Sequence, residues 1–273
     1  MGETGWITNR FGEKMEALVR KPRGSGPFPA VVFVPGLGMT MHEYKGSFDE
    51  LAGRLNDIGI LTLQFQFDIF KPGGVVRELP FEERAKQFED ALDWLFVRSD
   101  VDIKRVGVLA QSYGVPTVLN LKRSHPALRQ AQGKPQGVTL IKSFVFVSGA
   151  YFPEKSIRRV YEERGVMINL EGDTTLPRSS GERTTVGKEF WKDIKTFDDI
   201  GYAKGLRLPV FMIHGDQDSK IPISDAHRVF DAISSKQKKI KIFAGGDHGI
   251  VDVPRPMREE FLGDIVDWFE ETL

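Results

Sequence analysis

A mostly parallel α/β sheet with helices on both faces is the fold this sequence predicts, and three observations predict it. Apolar runs of strand length alternate with amphipathic helical stretches along most of the chain. One of those runs, Ala30-Val31-Val32-Phe33-Val34, is apolar at every position, as a strand covered on both faces must be. The length, 273 residues, suits one large domain with an inserted lobe, since single cores stop growing at roughly 250–300 residues.

Taken in order, Trp6–Arg10 and Met15–Arg20 alternate in polarity and predict a β-hairpin closed by Phe11-Gly12-Glu13-Lys14. A Pro/Gly segment, Pro22 to Pro29, precedes the Ala30–Val34 strand. Phe48, Leu51, Leu55 and Ile58 recur at helical spacing, and Ile60–Phe67 reads as a strand. Phe81, Phe88, Leu92 and Leu95 mark a second amphipathic helix ending near Arg98. Strand, helix and strand follow at Arg105–Ala110, Val115–Arg123 and Lys142–Ser148, with the polar Ser124–Gly137 read as a surface insertion. Residues 151–208 then change in character, with charged helical stretches at Glu154–Glu163 and Lys188–Thr196 around a Gly/Thr/Ser-rich middle, Gly172–Gly187. They predict an inserted lid, so the core domain comprises 1–150 and 209–273. The alternation resumes with strand Pro209–Ile213, helix Ser224–Ser234, strand Lys239–Phe243 and a terminal helix over Arg258–Glu270.

Composition excludes whole classes of chemistry. There is no cysteine, hence no disulfide, no Cys-ligated zinc or iron–sulfur site and no Cys nucleophile. Lys and Arg total 38 against 38 Asp and Glu, a balance that argues against a polyanion as the main partner. The first residues lack the basic and apolar regions of a signal peptide, and Trp6 breaks the myristoylation pattern. The apolar runs fall far short of the roughly 18 residues a transmembrane helix needs. A cytoplasmic protein acting on a small molecule is expected, without nucleic acid or membrane; a second copy of the chain is the one macromolecular partner left open. Asp193, Asp198 and Asp199 lie on a charged stretch and read as a solvated face rather than a metal site, and no organic cofactor is expected.

The sharpest local signal is Gly107-Val108-Leu109-Ala110-Gln111-Ser112-Tyr113-Gly114-Val115. An apolar strand runs into Ser112, small residues stand two before and two after it, and a helix follows. A serine on so sharp a turn needs small flanking residues for strand and helix to approach, and the turn lifts its hydroxyl clear of the sheet. This arrangement resembles the nucleophile elbow, G-x-S-x-G, of the α/β-hydrolases, with Ala110 in place of the first Gly.

A serine hydroxyl attacks only when a base takes its proton, and the base needs an orienting carboxylate. Of five histidines, His248 lies after a strand and before the terminal helix, where active sites of open α/β sheets collect. His214 ends a strand and reads as structural; His42, His125 and His227 read as surface residues. Two acids follow the Pro209–Ile213 strand, and the resemblance favours Asp218, which opens the D-x-x-I-P order, over Asp216, which then forms the turn. The chain order Ser112, Asp218, His248 is that of the α/β-hydrolases. The same likeness implies an oxyanion hole from the backbone N–H groups of Tyr113 and of Leu37, which follows Pro35-Gly36.

The match runs from about Phe28 to Phe269. Within it, Gly187-Lys188-Glu189-Phe190-Trp191-Lys192-Asp193-Ile194 and Leu208-Pro209-Val210-Phe211-Met212-Ile213-His214-Gly215 are similar to bacterial cinnamoyl/feruloyl-type serine esterases. That likeness implies a carboxylic ester hydrolase working through an acyl-enzyme on hydroxycinnamoyl or short-chain esters. A prolyl-oligopeptidase-like peptidase, a thioesterase and a silent binding module of the same fold are the competing readings. Dienelactone-type hydrolases use Cys at the elbow, which this chain cannot supply. Tyr151, Phe152, Phe190, Trp191 and Tyr202 are aromatic candidates either for an acyl pocket or for a core within the lobe.

Overall fold

The computed structural model of the chain describes residues 2–71, 74–121, 141–177 and 182–273. The expected insertion at Ser124–Gly137 lies outside the described residues, as do His125 and residues 178–181.

Strands β1 (Gly2–Thr8) and β2 (Lys14–Arg20) form the expected antiparallel hairpin. Its turn is templated by the buried Asn9, whose Oδ1 accepts the N–H groups of Phe11 (3.0 Å) and Glu13 (2.9 Å). Next come β3 (Phe28–Val34), α1 (Ser47–Asp57), β4 (Leu61–Phe65), the short β5 (Phe70–Lys71) and β6 (Val75–Arg77), and α2 (Phe81–Phe96). Then follow β7 (Val101–Gln111), α3 (Gly114–Leu119), β8 (Ile141–Val147), α4 (Pro153–Glu163), β9 (Thr174–Pro177) and β10 (Arg183–Val186). The chain continues through α5 (Lys188–Thr196), α6 (Asp199–Gly205), β11 (Val210–Gly215), α7 (Ile223–Ala232) and β12 (Lys238–Phe243) to α8 (Arg255–Thr272).

Among the described residues, eight strands make the central sheet in the order β1-β2-β4-β3-β7-β8-β11-β12. From β4 to β12 every pairing is parallel, and the hairpin is appended antiparallel at one end. Parallel strands need covering on both faces, and β3 shows how the sequence supplies this. Ala30, Val32 and Val34 face a core shared with α2, α3 and α7; Val31 and Phe33 face a second core shared with α1 and α8. The two-residue period of a strand thus sends alternate side chains into different cores. Each fully buried Val, Leu or Phe contributes about 1.5–3 kcal/mol, so this double burial is what holds the sheet.

A four-stranded sheet, β5-β6-β10-β9, accompanies α4 and α5 in a small lobe with its own core of Ile157, Tyr161, Leu176, Val186, Phe190, Trp191 and Ile194. Two of its strands, β5 and β6, come from ahead of the stretch 151–208 that was expected to form the lid. These strands and β9 and β10 are two to four residues long, too short to carry an alternating pattern. Among the described residues, no helix is long and apolar enough to cross a membrane.

Candidate active site

Three parallel strands deliver three side chains to one end of the sheet. Ser112 directly follows β7, Asp218 lies three residues past β11, and His248 five past β12. The carboxyl edge of an open parallel sheet is where loops from separate strands converge.

Ser112 adopts φ 52°, the left-handed region that a non-glycine residue enters at a cost of about 1–3 kcal/mol. Backbone bonds on both sides hold it there: its N–H donates to Val147 O (2.9 Å), and its carbonyl accepts the Ala150 N–H (2.9 Å). Gly114 explains the small residue two positions on. A Cβ added there would lie 2.2 Å from the Val34 carbonyl oxygen, so only glycine lets α3 start this close to β3.

Ser112 Oγ lies 3.1 Å from His248 Nε2, and His248 Nδ1 lies 2.8 Å from Asp218 Oδ2. An ionised carboxylate only accepts, so the ring carries its proton on Nδ1 and Nε2 accepts from the serine hydroxyl. Asp218 Oδ1 accepts the N–H groups of Lys220 and Ile221, both at 2.9 Å. Burial alone would push the Asp218 carboxyl up. The hydrogen bonds from His248 and from the Ile221 N–H work against it, and the group lies below the ordinary carboxylate value.

The other acid has a different partner. Asp216 Oδ1 accepts the Gly245 N–H (2.7 Å), and the Gln217 N–H donates to Gly246 O (3.0 Å). A Cβ on Gly215 would lie 2.1 Å from Gly246 O, so the acid-bearing and histidine-bearing loops touch through bare backbone. His214 is buried, donates from Nε2 to Ile221 O (3.0 Å) and sits 3.4 Å from Asp218 Oδ2. Burial lowers its pKa against the pull of Ile221 and Asp218, so it packs as a neutral ring behind the acid. His42 pairs with Asp49 (2.8 Å), and His227 is exposed.

Leu37 and Tyr113 both border the small lobe. Tyr113 stacks on Phe81 (ring centroids 4.6 Å apart) and Phe190 (5.6 Å), and the half-buried Leu37 packs on the same cluster. Among the described residues, no backbone carbonyl takes the Tyr113 N–H. Phe190 and Trp191 are buried inside the lobe and Tyr151 inside the main core, so packing rather than a pocket accounts for these three aromatics. The acidic stretch is not one solvated face: Asp198 is exposed and caps α6 by accepting the Gly201 N–H, whereas Asp199 is buried. No grouping among the described residues could hold a metal.

A cavity of about 620 Å³ opens between α2, α3, α5 and α6, against Phe81, Phe197 and Tyr202. Neither Ser112 nor His248 lines it, so the hydrogen bonds joining Ser112, His248 and Asp218, not this cavity, mark the candidate site. Four buried polar residues close to the site carry no motif that marks them in the sequence. Glu43 accepts the Gly36 N–H (2.7 Å), Glu78 the Gly38 N–H (2.6 Å), Ser148 the Gly249 N–H (3.0 Å), and Arg84 joins the loop after β3. Arg84 did leave a trace, for Phe81, Arg84 and Phe88 fall on one helical face.

No family model matches the chain. Est1E from Butyrivibrio proteoclasticus superposes with a TM-score of 0.76 at 17% identity, covering 99% of this chain and 98% of that one. An esterase domain from Rhodothermus marinus gives 0.70 at 16%, covering 100% and 99%. The chain has the α/β-hydrolase fold. In sequence, the chain is 26% identical to esterase EstD of Thermotoga maritima over 248 residues. That alignment takes in 83% of this chain and 56% of EstD, so the chain spans about half the length of that curated relative.

Proposed function

We propose that the chain is a serine hydrolase that cleaves carboxylic esters through an acyl-enzyme. The observation that carries this reading is the hydrogen-bonded series Ser112–His248–Asp218 at a strained strand-to-helix turn. The likeness to EstD supports the ester class.

In the proposed reaction, Ser112 Oγ bonds to the ester carbonyl carbon and its proton passes to His248 Nε2. The carbonyl π pair moves onto oxygen, and the Leu37 and Tyr113 N–H groups receive the oxyanion. Asp218 keeps the imidazole in the tautomer whose Nε2 faces the serine, and stabilises the imidazolium. Collapse breaks the bond to the alcohol oxygen, which leaves with the proton from His248. Water then attacks the acyl-enzyme, giving a proton to His248, and the second collapse frees the acid and returns the proton to Ser112 Oγ.

The substrate class proposed is hydroxycinnamoyl or short-chain acyl esters. An Est1E structure with ferulic acid bound has a TM-score of 0.75 to this chain at 17% identity, which supports the first. The small lobe is proposed to roof the ester, a reading supported by the packing of Leu37 and Tyr113 against its core.

The test is labelling with a fluorophosphonate, followed by rates on p-nitrophenyl acetate, methyl ferulate, an acyl thioester and a peptide amide. Stoichiometric labelling of wild type, none in Ser112→Ala, and ester rates above thioester and amide rates are expected. An unlabelled wild type, or full activity in Ser112→Ala, would sink the assignment. Faster thioester or peptide turnover would replace the substrate class.

A further inference from the structure

Behind the loop that follows β3 lies a group of buried charges that the proposed chemistry does not use directly. Arg84, on α2, is wholly buried, as is its partner Glu78; Glu43 is 6% exposed. Arg84 Nη1 donates to Glu78 Oε1 (2.6 Å), Nε donates to Thr117 Oγ1 (3.0 Å), and Nη2 donates to the carbonyls of Pro35 and of Gly36, the latter at 3.1 Å. Its guanidinium lies over the rings of Phe67 (4.0 Å) and Tyr113 (5.1 Å).

These contacts hold three successive peptide groups. The 35–36 peptide is gripped at both ends, its carbonyl by Arg84 and its N–H by Glu43. The 36–37 peptide is gripped at its carbonyl by Arg84, and the 37–38 peptide at its N–H by Glu78. A trans peptide is planar, with C=O and N–H pointing opposite ways. A donor fixed on the Gly36 carbonyl therefore fixes the direction of the Leu37 N–H, away from Arg84. A cation on that carbonyl also polarises the amide and makes its N–H a stronger donor.

The same side chain reaches the second expected donor. Thr117 Oγ1, which accepts from Arg84, donates to the Tyr113 carbonyl (3.0 Å). Tyr113 also stands between Arg84 and Phe190. One guanidinium thus connects the loop carrying Leu37 to the turn carrying Tyr113, 84 being remote in sequence from both. Simple packing gives no reason for this choice, because a buried ion pair can often be replaced by apolar groups of like volume without loss of stability.

We infer that Arg84, held by Glu78, is a positioning residue that aims the Leu37 N–H and sets its separation from the Tyr113 N–H. This inference rests on the serine-hydrolase reading above. It predicts that the pair acts on the tetrahedral oxyanion far more than on the bound ester, because the donors must match the oxygen's position in the transition state.

The test compares wild type with Arg84→Lys, Glu78→Gln and the double variant Glu78→Gln/Arg84→Met, which removes both buried charges together and so protects folding. Active sites are counted with a fluorophosphonate, and p-nitrophenyl acetate turnover is expressed per labelled site. Inhibition by a trifluoromethyl ketone is measured alongside; Ser112 adds to its carbonyl through Oγ, giving its proton to His248 and leaving a tetrahedral oxyanion. In the double variant, kcat per site should fall about 10²–10³-fold, the range for loss of one oxyanion donor. KM should change less than about threefold, and the inhibition constant should rise in step with the loss in kcat. Arg84→Lys, which keeps the charge but not the fork, should recover part of the loss. Unchanged kcat per site in these variants, whatever their melting temperatures or labelled fractions, overturns the inference and leaves the hydrolase reading intact. An unlabelled wild type overturns both.

Discussion

Asp216 accepts the Gly245 N–H at 2.7 Å, three residues ahead of His248, while Asp218 accepts from His248 itself at 2.8 Å. Two acids two positions apart therefore do separate jobs, one joining the loops and one facing the imidazole. Asp218→Asn should lower kcat by roughly 10³–10⁴, because an amide nitrogen favours the wrong tautomer. Asp216→Ala should cost about 1 kcal/mol of stability and change kcat less than about tenfold. Steady-state kinetics and urea unfolding of both variants check this; equal losses in kcat would erase the division of roles.

Gly114→Ala tests the turn. The new methyl carbon would meet the Val34 carbonyl oxygen at 2.2 Å and that of Pro35 at 3.0 Å, and both are backbone atoms. Relief requires α3 to move away from the loop carrying Leu37. Destabilisation of about 2–4 kcal/mol by urea unfolding is expected, with a matching fall in kcat per active site. A variant as stable as wild type would show that the turn yields more readily than the contacts imply.

Ser148 holds the histidine loop from beneath. It is fully buried, sits at φ 45° and accepts the Gly249 N–H at 3.0 Å. Ser148→Ala leaves that N–H without its acceptor, at about 1–3 kcal/mol, and should lower kcat about tenfold through misplacement of His248. Ser148→Gly removes the same acceptor but relieves the positive φ. It should therefore match Ala in kcat and exceed it in melting temperature; the reverse order would exclude this account.

Asp199 gives the fold a pH dependence. Burial pushes its carboxyl up to about 7, the charges of Asp198 and Asp225 add to this, and the N–H groups of Phe152 and of Asp199 itself oppose it. The folded protein keeps a proton that the unfolded chain releases near pH 3.8. Stability from this group is therefore complete below about pH 4, declines as pH rises, and levels off above about pH 7. The full penalty is at most about 4 kcal/mol. Asp199→Asn should lack this slope and be more stable than wild type at pH 8, with the difference closing toward pH 4. Urea midpoints across that range would detect it, and parallel curves for the two proteins would count against it.

Much of the fold was legible because burial on both faces leaves a direct mark on sequence. The all-apolar Ala30–Val34 and the helical spacing of Phe48, Leu51 and Leu55 located β3 and α1 to within a few residues. The strands of the second sheet were not legible. β5 and β6 are set by pairing with each other, and β6 with β10 more than a hundred residues on, rather than by any pattern of their own.

The site divides in the same way. Sequence by itself determined Ser112 and its small neighbours as a turn, and placed Asp218 and His248 after strands, because turn sterics and strand-end loops are local properties. Only the tertiary structure decided that Asp218 rather than Asp216 faces the imidazole. It alone decided that Phe190 and Trp191 fill a core, and that Arg84 crosses from α2 to hold the Gly36 carbonyl. A buried charge is defined by the partners that enclose it, and those partners come from segments the chain brings together only by folding.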